Sequence, residues 1–282
     1  MNRYTIKQFN EQYPNDDACL DAIFRNHYGD MKACPNCGVA DAKFYKLKGR
    51  KAYSCMHCRY QIHPLAGTIF HKSETPLKSW FFAIYLFGTS KNGVSAKELE
   101  RHLGVTYKTA WRIAKQIRML MQQNSDKLGG IVEADETYYG GRTDSRRRFS
   151  NKSTILGIVE KKGKAKAVVA SGANATTALP FMKAAVRIGS EVHTDESRIY
   201  SRVKRDFDHK FVNHSAKEYV KNGVHTNNIE GLWGQLKRSI DGTYHCVSPK
   251  YLQSYVNEFV YRYNLRDDAV YPVLIQQAAK RV

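Results

Sequence analysis

Residues 129–141, GGIVEADETYYGG, decide the fold, because a short apolar run after two glycines leads to the acidic residue Asp135. Two later segments, EVHTDESRIY and HTNNIEGLWGQLKRS, carry Asp195 and Glu230, with 59 and then 34 residues between successive acids. The first two acids follow strand-like runs, and the third lies in a segment with helical periodicity. Acids placed in this way can converge on a pair of hard divalent cations, which prefer oxygen ligands. The sequence therefore predicts an active site that binds two Mg²⁺ or Mn²⁺ ions.

The first acid has an alternative on its own strand. Alternation along a strand places Glu133 on the same face as Asp135 and places Glu136 on the opposite face. We favour Asp135 because we expect the strand to end there, where a side chain can reach a shared cleft. Glu133 stays the alternative.

The second acid is followed directly by another carboxylate, Glu196. We favour Asp195 because it comes immediately after the apolar run EVHT. The other role open to Asp195 is to cap a helix that begins near Ser197.

The third acid shares a helix face with a lysine. Glu230 and Lys237 are two turns apart, so the acid can hold a cation while the lysine binds a phosphate. Asn227 and Asn228 are the alternatives for the third position, although an amide offers only a neutral oxygen. Trp233 belongs to the apolar stripe of the same helix, with base stacking as its alternative role.

The chain divides into four predicted segments. They are an N-terminal helical segment (1–30), a zinc ribbon (31–71), a helix-turn-helix module (74–123) and a catalytic domain (131–282). Within the last segment we predict strands at 131–135, 154–160, 166–170, 191–195 and 210–213, and helices at 176–188, 227–239 and 249–266. This order fits a ribonuclease-H-like mixed sheet covered by helices. The fold class is therefore α+β and multidomain.

Four of the six cysteines form two CxxC pairs, Cys34 with Cys37 and Cys55 with Cys58. This spacing is typical of one structural zinc ion held by four thiolates. His57 and His63 are alternative ligands. The segment between the pairs is basic, and whether it contacts DNA stays open.

A helix-turn-helix motif is predicted between the ribbon and the catalytic domain. Ser95 and Glu98 form a capping box at the start of one helix, Gly104 breaks it, and a second helix starts at Thr106. In such motifs the second helix enters the major groove of DNA. The side chains predicted to face double-stranded DNA are Tyr107, Lys108, Thr109, Arg112 and Lys115.

The charge of the chain points to a polyanionic partner. It has 45 Lys and Arg against 26 Asp and Glu, a formal net charge of +19. Neutralising phosphates releases counterions, so we expect nucleic acid rather than a membrane as the partner. The N-terminus lacks an apolar signal and the longest apolar run, 80–87, is too short for a membrane span. We therefore expect a cytoplasmic protein associated with the nucleoid.

These features together resemble a known family. The ribbon, the helix-turn-helix, and the motifs EADETYYGG, HTDES, HTNNIEGLWGQLKR and GTYH are similar to insertion-sequence transposases of the ISXO-two-like group, over nearly the whole chain. The resemblance implies a DDE transposase on a ribonuclease-H-like fold that uses two divalent metal ions. It carries Asp135, Asp195 and Glu230 over as metal ligands and Lys237 as a contact to the element's end, with His225 and His245 as further candidates to line the site.

The activity implied by this family is DNA transposition. The enzyme would bind the element's ends, hydrolyse the phosphodiester there, and transfer the 3′-OH ends to target DNA, as a homodimer or larger assembly when the ends are paired. Two alternatives are a nuclease of the same fold that cuts without joining, and a DNA-binding regulator whose catalytic domain is inactive.

Overall fold

The computed structural model describes residues 4–141, 152–213 and 223–280. These residues form two compact units. The first unit comprises 4–90, 94–120 and 268–280, and the second comprises 91–93 and the described part of 121–267. Within these ranges, no helix combines the length and the apolar character that crossing a membrane requires.

The first unit begins with two helices and a small sheet. They are α1 (Ile6–Gln12), α2 (Asp16–Tyr28), β1 (Phe44–Lys46), β2 (Tyr53–Cys55) and β3 (Gln61–Ile62), with the strands antiparallel in the order β1-β2-β3. The ring of Tyr53 stacks on Phe24 of α2, with centroids 3.9 Å apart, and the Tyr53 hydroxyl donates to Asp21. The small sheet is therefore packed on α2, which the sequence analysis placed in a separate segment.

Three helices follow in the first unit: α3 (Leu77–Thr89), α4 (Ala96–Leu103) and α5 (Tyr107–Leu120). The Ser95 hydroxyl accepts a hydrogen bond from the Glu98 N–H at 3.1 Å, and α4 ends at Gly104 in the left-handed conformation with φ of 62°. Glycine adopts that conformation without the steric cost that other residues carry. The apolar stripe of α5, which includes Ala110, Ile113 and Ile117, is fully buried. The predicted pair of helices around a glycine turn is confirmed.

A last helix, α9 (Val270–Ala279), has no counterpart in the sequence prediction. Its Tyr271 is 3% exposed and packs its ring against Tyr4, Phe9 and Tyr85. A Cβ at Gly88 of α3 would lie 2.7 Å from the Tyr271 Cα, so the two helices approach closely because Gly88 has no side chain. Residues 268–280, which the sequence analysis placed in the 131–282 segment, thus pack in the first unit.

The second unit is built on a five-stranded mixed sheet. Its elements are β4 (Ile131–Tyr139), β5 (Ser153–Glu160), β6 (Ala165–Ala170), α6 (Ala175–Ala185), β7 (Glu191–Thr194), β8 (Asp208–Phe211), α7 (Asn227–Thr243) and α8 (Pro249–Asn264). The strand order is β6-β5-β4-β7-β8, with β4, β5 and β6 antiparallel and with β7 and β8 parallel to β4. This arrangement confirms the α+β class and the ribonuclease-H-like mixed sheet.

Both faces of the sheet bury an apolar core. On one face Val132 and Ala134 of β4 pack with Ala178 and Met182 of α6. On the other face the apolar side chains of β5 and β6 pack with those of α7 and α8, including Trp233. Because side chains alternate along a strand, Glu133 and Asp135 face α7 and α8, while Glu136 lies on the α6 face. The predicted separation of these three acids between the two faces is confirmed.

The first strand of this sheet is longer than predicted. We expected it to end at Asp135, but β4 continues to Tyr139 and pairs with β5 from Val132 to that residue. The polar residues after Asp135 do not end the strand, because the partner strand satisfies their backbone groups. Asp135 is consequently at the centre of the strand, and the reason for which it was preferred is wrong.

The edge strand β6 is closed by side-chain amides. Asn264 accepts from the Ala165 N–H at 2.7 Å and donates to the Ala165 carbonyl at 2.9 Å. Gln123 makes the same pair of hydrogen bonds with Ala167, at 3.0 and 2.6 Å. These amides satisfy backbone groups that an unpaired edge would leave open to another strand.

Candidate active site

Two neighbouring strands bring the first two predicted acids together. In the parallel pair of β4 and β7, Glu133 is paired with His193. Asp135 and Asp195 each lie two residues further along the chain. They therefore occupy corresponding positions in the register of this strand pair. Both side chains are half-buried.

The carboxylates in this region affect one another electrostatically. The pKa of Asp135 is raised from 3.8 to about 7, chiefly by burial and then by the negative charges of Glu136 and Asp195. Burial and the charge of Asp195 also raise the pKa of Glu136, whose carboxylate accepts a hydrogen bond from the buried Tyr200 hydroxyl at 3.2 Å. Burial first, and then these acids, raises the pKa of Tyr200 as well. A concentration of negative charge of this kind is suited to a divalent cation.

Glu133, the alternative to Asp135, has a different role in the structure. It is fully buried, and its Oε2 accepts hydrogen bonds from the backbone N–H groups of Asn228 and Ile229 at 2.8 and 3.0 Å. Its Oε1 accepts from the Asn228 side-chain amide at 2.5 Å, and His225 Nδ1 lies 3.1 Å from the same oxygen. Glu133 therefore caps the N-terminus of α7 and holds that helix against β4.

Two roles were predicted for Asp195, metal ligand and helix cap, and its contacts bear on both. Asp195 Oδ1 accepts a hydrogen bond from the Ser197 N–H at 3.0 Å, before the short 3₁₀ helix Arg198–Tyr200. The N-cap of that helix is Ser197, so Asp195 forms a turn before the helix and does not cap it. The charge of Asp195 also raises the pKa of Asp135. Glu196 is exposed.

Helix α7 carries the third predicted acid and the lysine. Glu230 is exposed in its first turn, where the Thr226 hydroxyl donates to it at 3.1 Å, and Lys237 is half-buried two turns later. One turn after Glu230, the indole N–H of Trp233 donates to Asp135 Oδ2 at 2.9 Å. Near the other end of the helix, the Tyr139 hydroxyl donates to Asp241 at 3.0 Å.

The three predicted metal ligands do not form a closed cluster. In the described ranges, the four ribbon cysteines are the only group of three or more His, Cys, Asp or Glu whose ligand atoms all lie within 4.8 Å of one another. The ligand atoms of Asp135, Asp195 and Glu230 therefore do not all lie within 4.8 Å of one another. The structure brings Asp135 and Asp195 together and connects Asp135 to α7 through Trp233.

Two residues next to these acids were not chosen from the sequence. Glu136 contributes to the negative charge around Asp135, although strand alternation places it on the other face. Trp233 contacts Asp135 directly, although the sequence indicated a core position, with base stacking as the alternative role. No sequence signal distinguishes an indole that donates to a carboxylate from one that only packs.

The ribbon cysteines have the geometry of a tetrahedral zinc site. Cys34 Sγ lies 3.7 Å from Cys58 Sγ, and Cys37 Sγ lies 4.0 Å from Cys55 Sγ. Zinc–sulfur bonds of about 2.3 Å in a tetrahedron place the sulfurs about 3.8 Å apart, so the donor set fits the ion. Four thiolates leave no open position, which makes the zinc structural. His57 is exposed and is not part of this group.

The predicted DNA-facing residues lie along α5. Tyr107 is 48% exposed, and Lys108, Arg112 and Lys115 are exposed as well. Thr109 is half-buried, and its N–H donates to the Thr106 hydroxyl at 3.3 Å. Because Thr109 is half-buried and bonded to Thr106 at the start of the helix, it is the residue of the predicted set that is least accessible to DNA.

Arg112 has two side-chain contacts within the protein. The Arg112 guanidinium donates to the Ser73 hydroxyl at 3.2 Å and lies 5.9 Å from the centre of the Trp80 ring. These contacts hold the side chain in a defined position without removing it from solvent.

Two segments of the chain match domains of transposases. Residues 127–264 match the ISXO2-like transposase domain, and residues 14–61 match the transposase zinc-ribbon domain. The chain belongs to this family of ISXO2-like transposases. The zinc-ribbon match includes α2, in agreement with the packing of the small sheet on that helix.

A curated relative comes from a mobile element. The chain is 25% identical over 250 residues to an uncharacterized protein in transposable element ISH50 of Halobacterium salinarum. The match covers 81% of this chain and 84% of the relative.

Proposed function

We propose that this transposase binds the ends of its own insertion sequence, cleaves the phosphodiester at each end, and joins the freed 3′-OH ends to target DNA. The observation that carries this proposal is the pair formed by Asp135 in β4 and Asp195 directly after the parallel strand β7, with α7 held against β4 by Glu133. Burial is the main cause of the raised pKa of Asp135, and the negative charges of Glu136 and Asp195 add to it. Acids whose pKa values are raised by burial and by one another are typical of functional sites.

Asp135, Asp195 and Glu230 are the residues that would hold two Mg²⁺ or Mn²⁺ ions. Carboxylate oxygens fit these cations, and the half-buried acids supply the negative charge that two divalent ions require. When bound, the ions supply Lewis acidity that activates water or a 3′-OH and stabilises the departing oxygen. Lys237 binds a phosphate of the scissile strand, and Glu133 keeps α7 in place.

Recognition of the element's ends is assigned to α5. Its exposed face carries Tyr107, Lys108, Arg112 and Lys115, which suits a helix in the major groove. The net charge of +19 supports a polyanionic partner. Joining two ends to one target requires both ends in one complex, so we expect at least a dimer when the ends are paired.

The test is an assay with purified protein, Mg²⁺ or Mn²⁺, and DNA that carries the element's own ends. Glu230→Gln should abolish end cleavage while binding to the ends is kept. Asn228→Ala removes one hydrogen bond to Glu133 but no metal ligand, so it should retain substantial cleavage. A cleaving Glu230→Gln protein together with an inactive Asn228→Ala protein would transfer the third position to the asparagine.

Strand transfer is tested separately with an end that already has a free 3′-OH. Wild-type protein should join it to a target plasmid, and Asp195→Asn should not. Cleavage of intact ends without any joined product would identify the protein as a nuclease. Binding without either reaction would identify a regulator.

A further inference from the structure

The contact between Trp233 and Asp135 depends on a glycine on the neighbouring strand. Gly157 of β5 is paired directly with Asp135 of β4. An ideal Cβ at Gly157 would lie 2.2 Å from Cη2 and 2.5 Å from Cζ2 of the Trp233 ring. The six-membered edge of the indole therefore lies on the bare backbone of Gly157, and its N–H is directed at Asp135.

We propose that Trp233 and Gly157 act as a pair of positioning residues that orient the Asp135 carboxylate for cation binding. The inference rests on the proposed function, because it takes Asp135 as a metal ligand. Neither residue touches the cation. Both act through the carboxylate.

The indole is suited to this task by its chemistry. The indole N–H can donate a hydrogen bond but cannot accept one, so it is suited to the ionised carboxylate, which only accepts. With Oδ2 held at 2.9 Å, rotation of the carboxylate is restricted. A donor of this kind prepares the ligand before the metal arrives, as supporting hydrogen bonds do in other metal sites.

The burial of Trp233 excludes the role of base-stacking platform. Its side chain is 5% exposed and packs in the core with Ile229, Leu232 and Leu236. A base could not reach the face of a ring that is covered in this way. The same helix carries Glu230 one turn earlier.

The first experiment measures Mn²⁺ binding to zinc-loaded protein, without DNA, from the paramagnetic resonance signal of free Mn²⁺. Trp233→Phe keeps an aromatic ring in the core and removes the N–H donor. We expect Mn²⁺ affinity to fall by about 10–100-fold, the usual loss for a partner of a metal ligand. Leu236→Ala is the matched control, because it removes packing from the same core one turn along α7. It should lower the melting temperature without changing Mn²⁺ affinity.

A second variant perturbs the same contact from the opposite side. Gly157→Ala places a methyl group where the ring edge lies, so the indole must move away from Asp135. We expect a similar loss of Mn²⁺ affinity. The double variant Gly157→Ala/Trp233→Phe should be no worse than Trp233→Phe alone, because both changes remove one interaction.

The result that overturns the inference is wild-type Mn²⁺ affinity in folded Trp233→Phe protein, or the same loss in Leu236→Ala. Asp135→Asn separates this outcome from failure of the proposed function. If Asp135→Asn loses Mn²⁺ and Trp233→Phe does not, the function stands and the positioning role is wrong. If Asp135→Asn binds Mn²⁺ and cleaves DNA like the wild type, Asp135 is no ligand and both proposals are wrong.

Discussion

Glu133 and Asp135 lie two residues apart on one face of β4, yet their surroundings assign them opposite roles. Glu133 is fully buried and receives hydrogen bonds from the N-terminus of α7. Asp135 is half-buried beside two other acids and receives one hydrogen bond from Trp233. The first carboxylate is stabilised by donors, and the charged form of the second is destabilised by burial and by the like charges beside it.

The raised pKa of Asp135 leads to a prediction for Asp135→Asn in the absence of divalent cations other than zinc. In the unfolded chain this carboxyl has a pKa of 3.8, and in the fold it is about 7. The folded state therefore binds more protons, and the stability due to protonated Asp135 is full below pH 3.8 and lost as pH rises through 7. At pH 8, Asp135→Asn should melt higher than the wild type, by roughly 3–10 °C.

Thermal melts of the wild type and of Asp135→Asn at pH 8 and pH 5 check the predicted difference in melting temperature. The difference should shrink at pH 5, where wild-type Asp135 is largely protonated in the folded protein. Added Mg²⁺ should raise the melting temperature of the wild type at pH 8 but not that of Asp135→Asn. A lower melting temperature for the variant at pH 8 would contradict the assigned electrostatics.

Glu133→Ala should have the opposite effect on stability. The change leaves the N–H groups of Asn228 and Ile229 without their acceptor, at a cost on the order of 2–3 kcal/mol. Denaturant unfolding measures this loss. Glu196→Ala is the control, because this exposed acid lies near the same site and should change stability by less than about 0.5 kcal/mol. Equal stabilities for the two variants would show that Glu133 does not hold α7.

At the scale of single residues, the sequence could predict that acidic side chains would lie close together. It could not predict the separate roles of Glu133 and Asp135. Alternation correctly placed Glu133 and Asp135 on one face. Their different roles depend on α7, which follows about 90 residues later in the chain. The hydrogen bond from Trp233 likewise depends on Gly157, a pairing partner that no local pattern relates to it.

Among the elements, α5 carries two kinds of predicted DNA contact. Lys108 is an exposed point charge, whereas Arg112 is held by Ser73 and lies over Trp80. A fixed guanidinium is suited to reading a base edge, and a mobile ammonium to binding a phosphate.

Binding of the element's ends and of random duplex should separate these two contacts. Arg112→Ala should weaken binding to the ends by about 1–3 kcal/mol and reduce their advantage over random duplex. Lys108→Ala should weaken both about equally and lower the salt dependence by about one unit of slope. Lys7→Ala, which removes an 85% exposed lysine from α1, is the control. If Arg112→Ala weakens both duplexes equally, Arg112 is only a phosphate contact.

The order of the elements could be read from sequence because each has a strong local period. Their ends could not, as β4 shows by continuing through Glu136 to Tyr139. Continued pairing with β5 decides that length, and pairing is not a local property. Helix α9 escaped prediction because its ten residues are almost uniformly apolar and show no polar face.

For the molecule as a whole, packing groups the chain differently from its order in sequence. The ribbon, the helix pair and α9 belong to one compact unit, although α9 follows the last strand by more than 50 residues. Cysteine spacing could predict the zinc site, since its ligands lie in one short segment. It could not predict that α2 packs on the ribbon through Phe24 and Tyr53.

Zinc removal tests this grouping. Cys34→Ser should lower the zinc content below one ion per chain and unfold the ribbon, because a site of four thiolates contributes directly to folding. Since Tyr53 stacks on Phe24, we expect the loss of order to extend to α2. Hydrogen exchange should therefore lose protection from α2 to β3, while β4 to β8 stay protected. Cys246→Ser, which changes an exposed cysteine outside the ribbon, should keep both the zinc and the protection. Full zinc content in Cys34→Ser would exclude this cysteine as a ligand, and unchanged protection of α2 would show that the helix is stable without the ribbon.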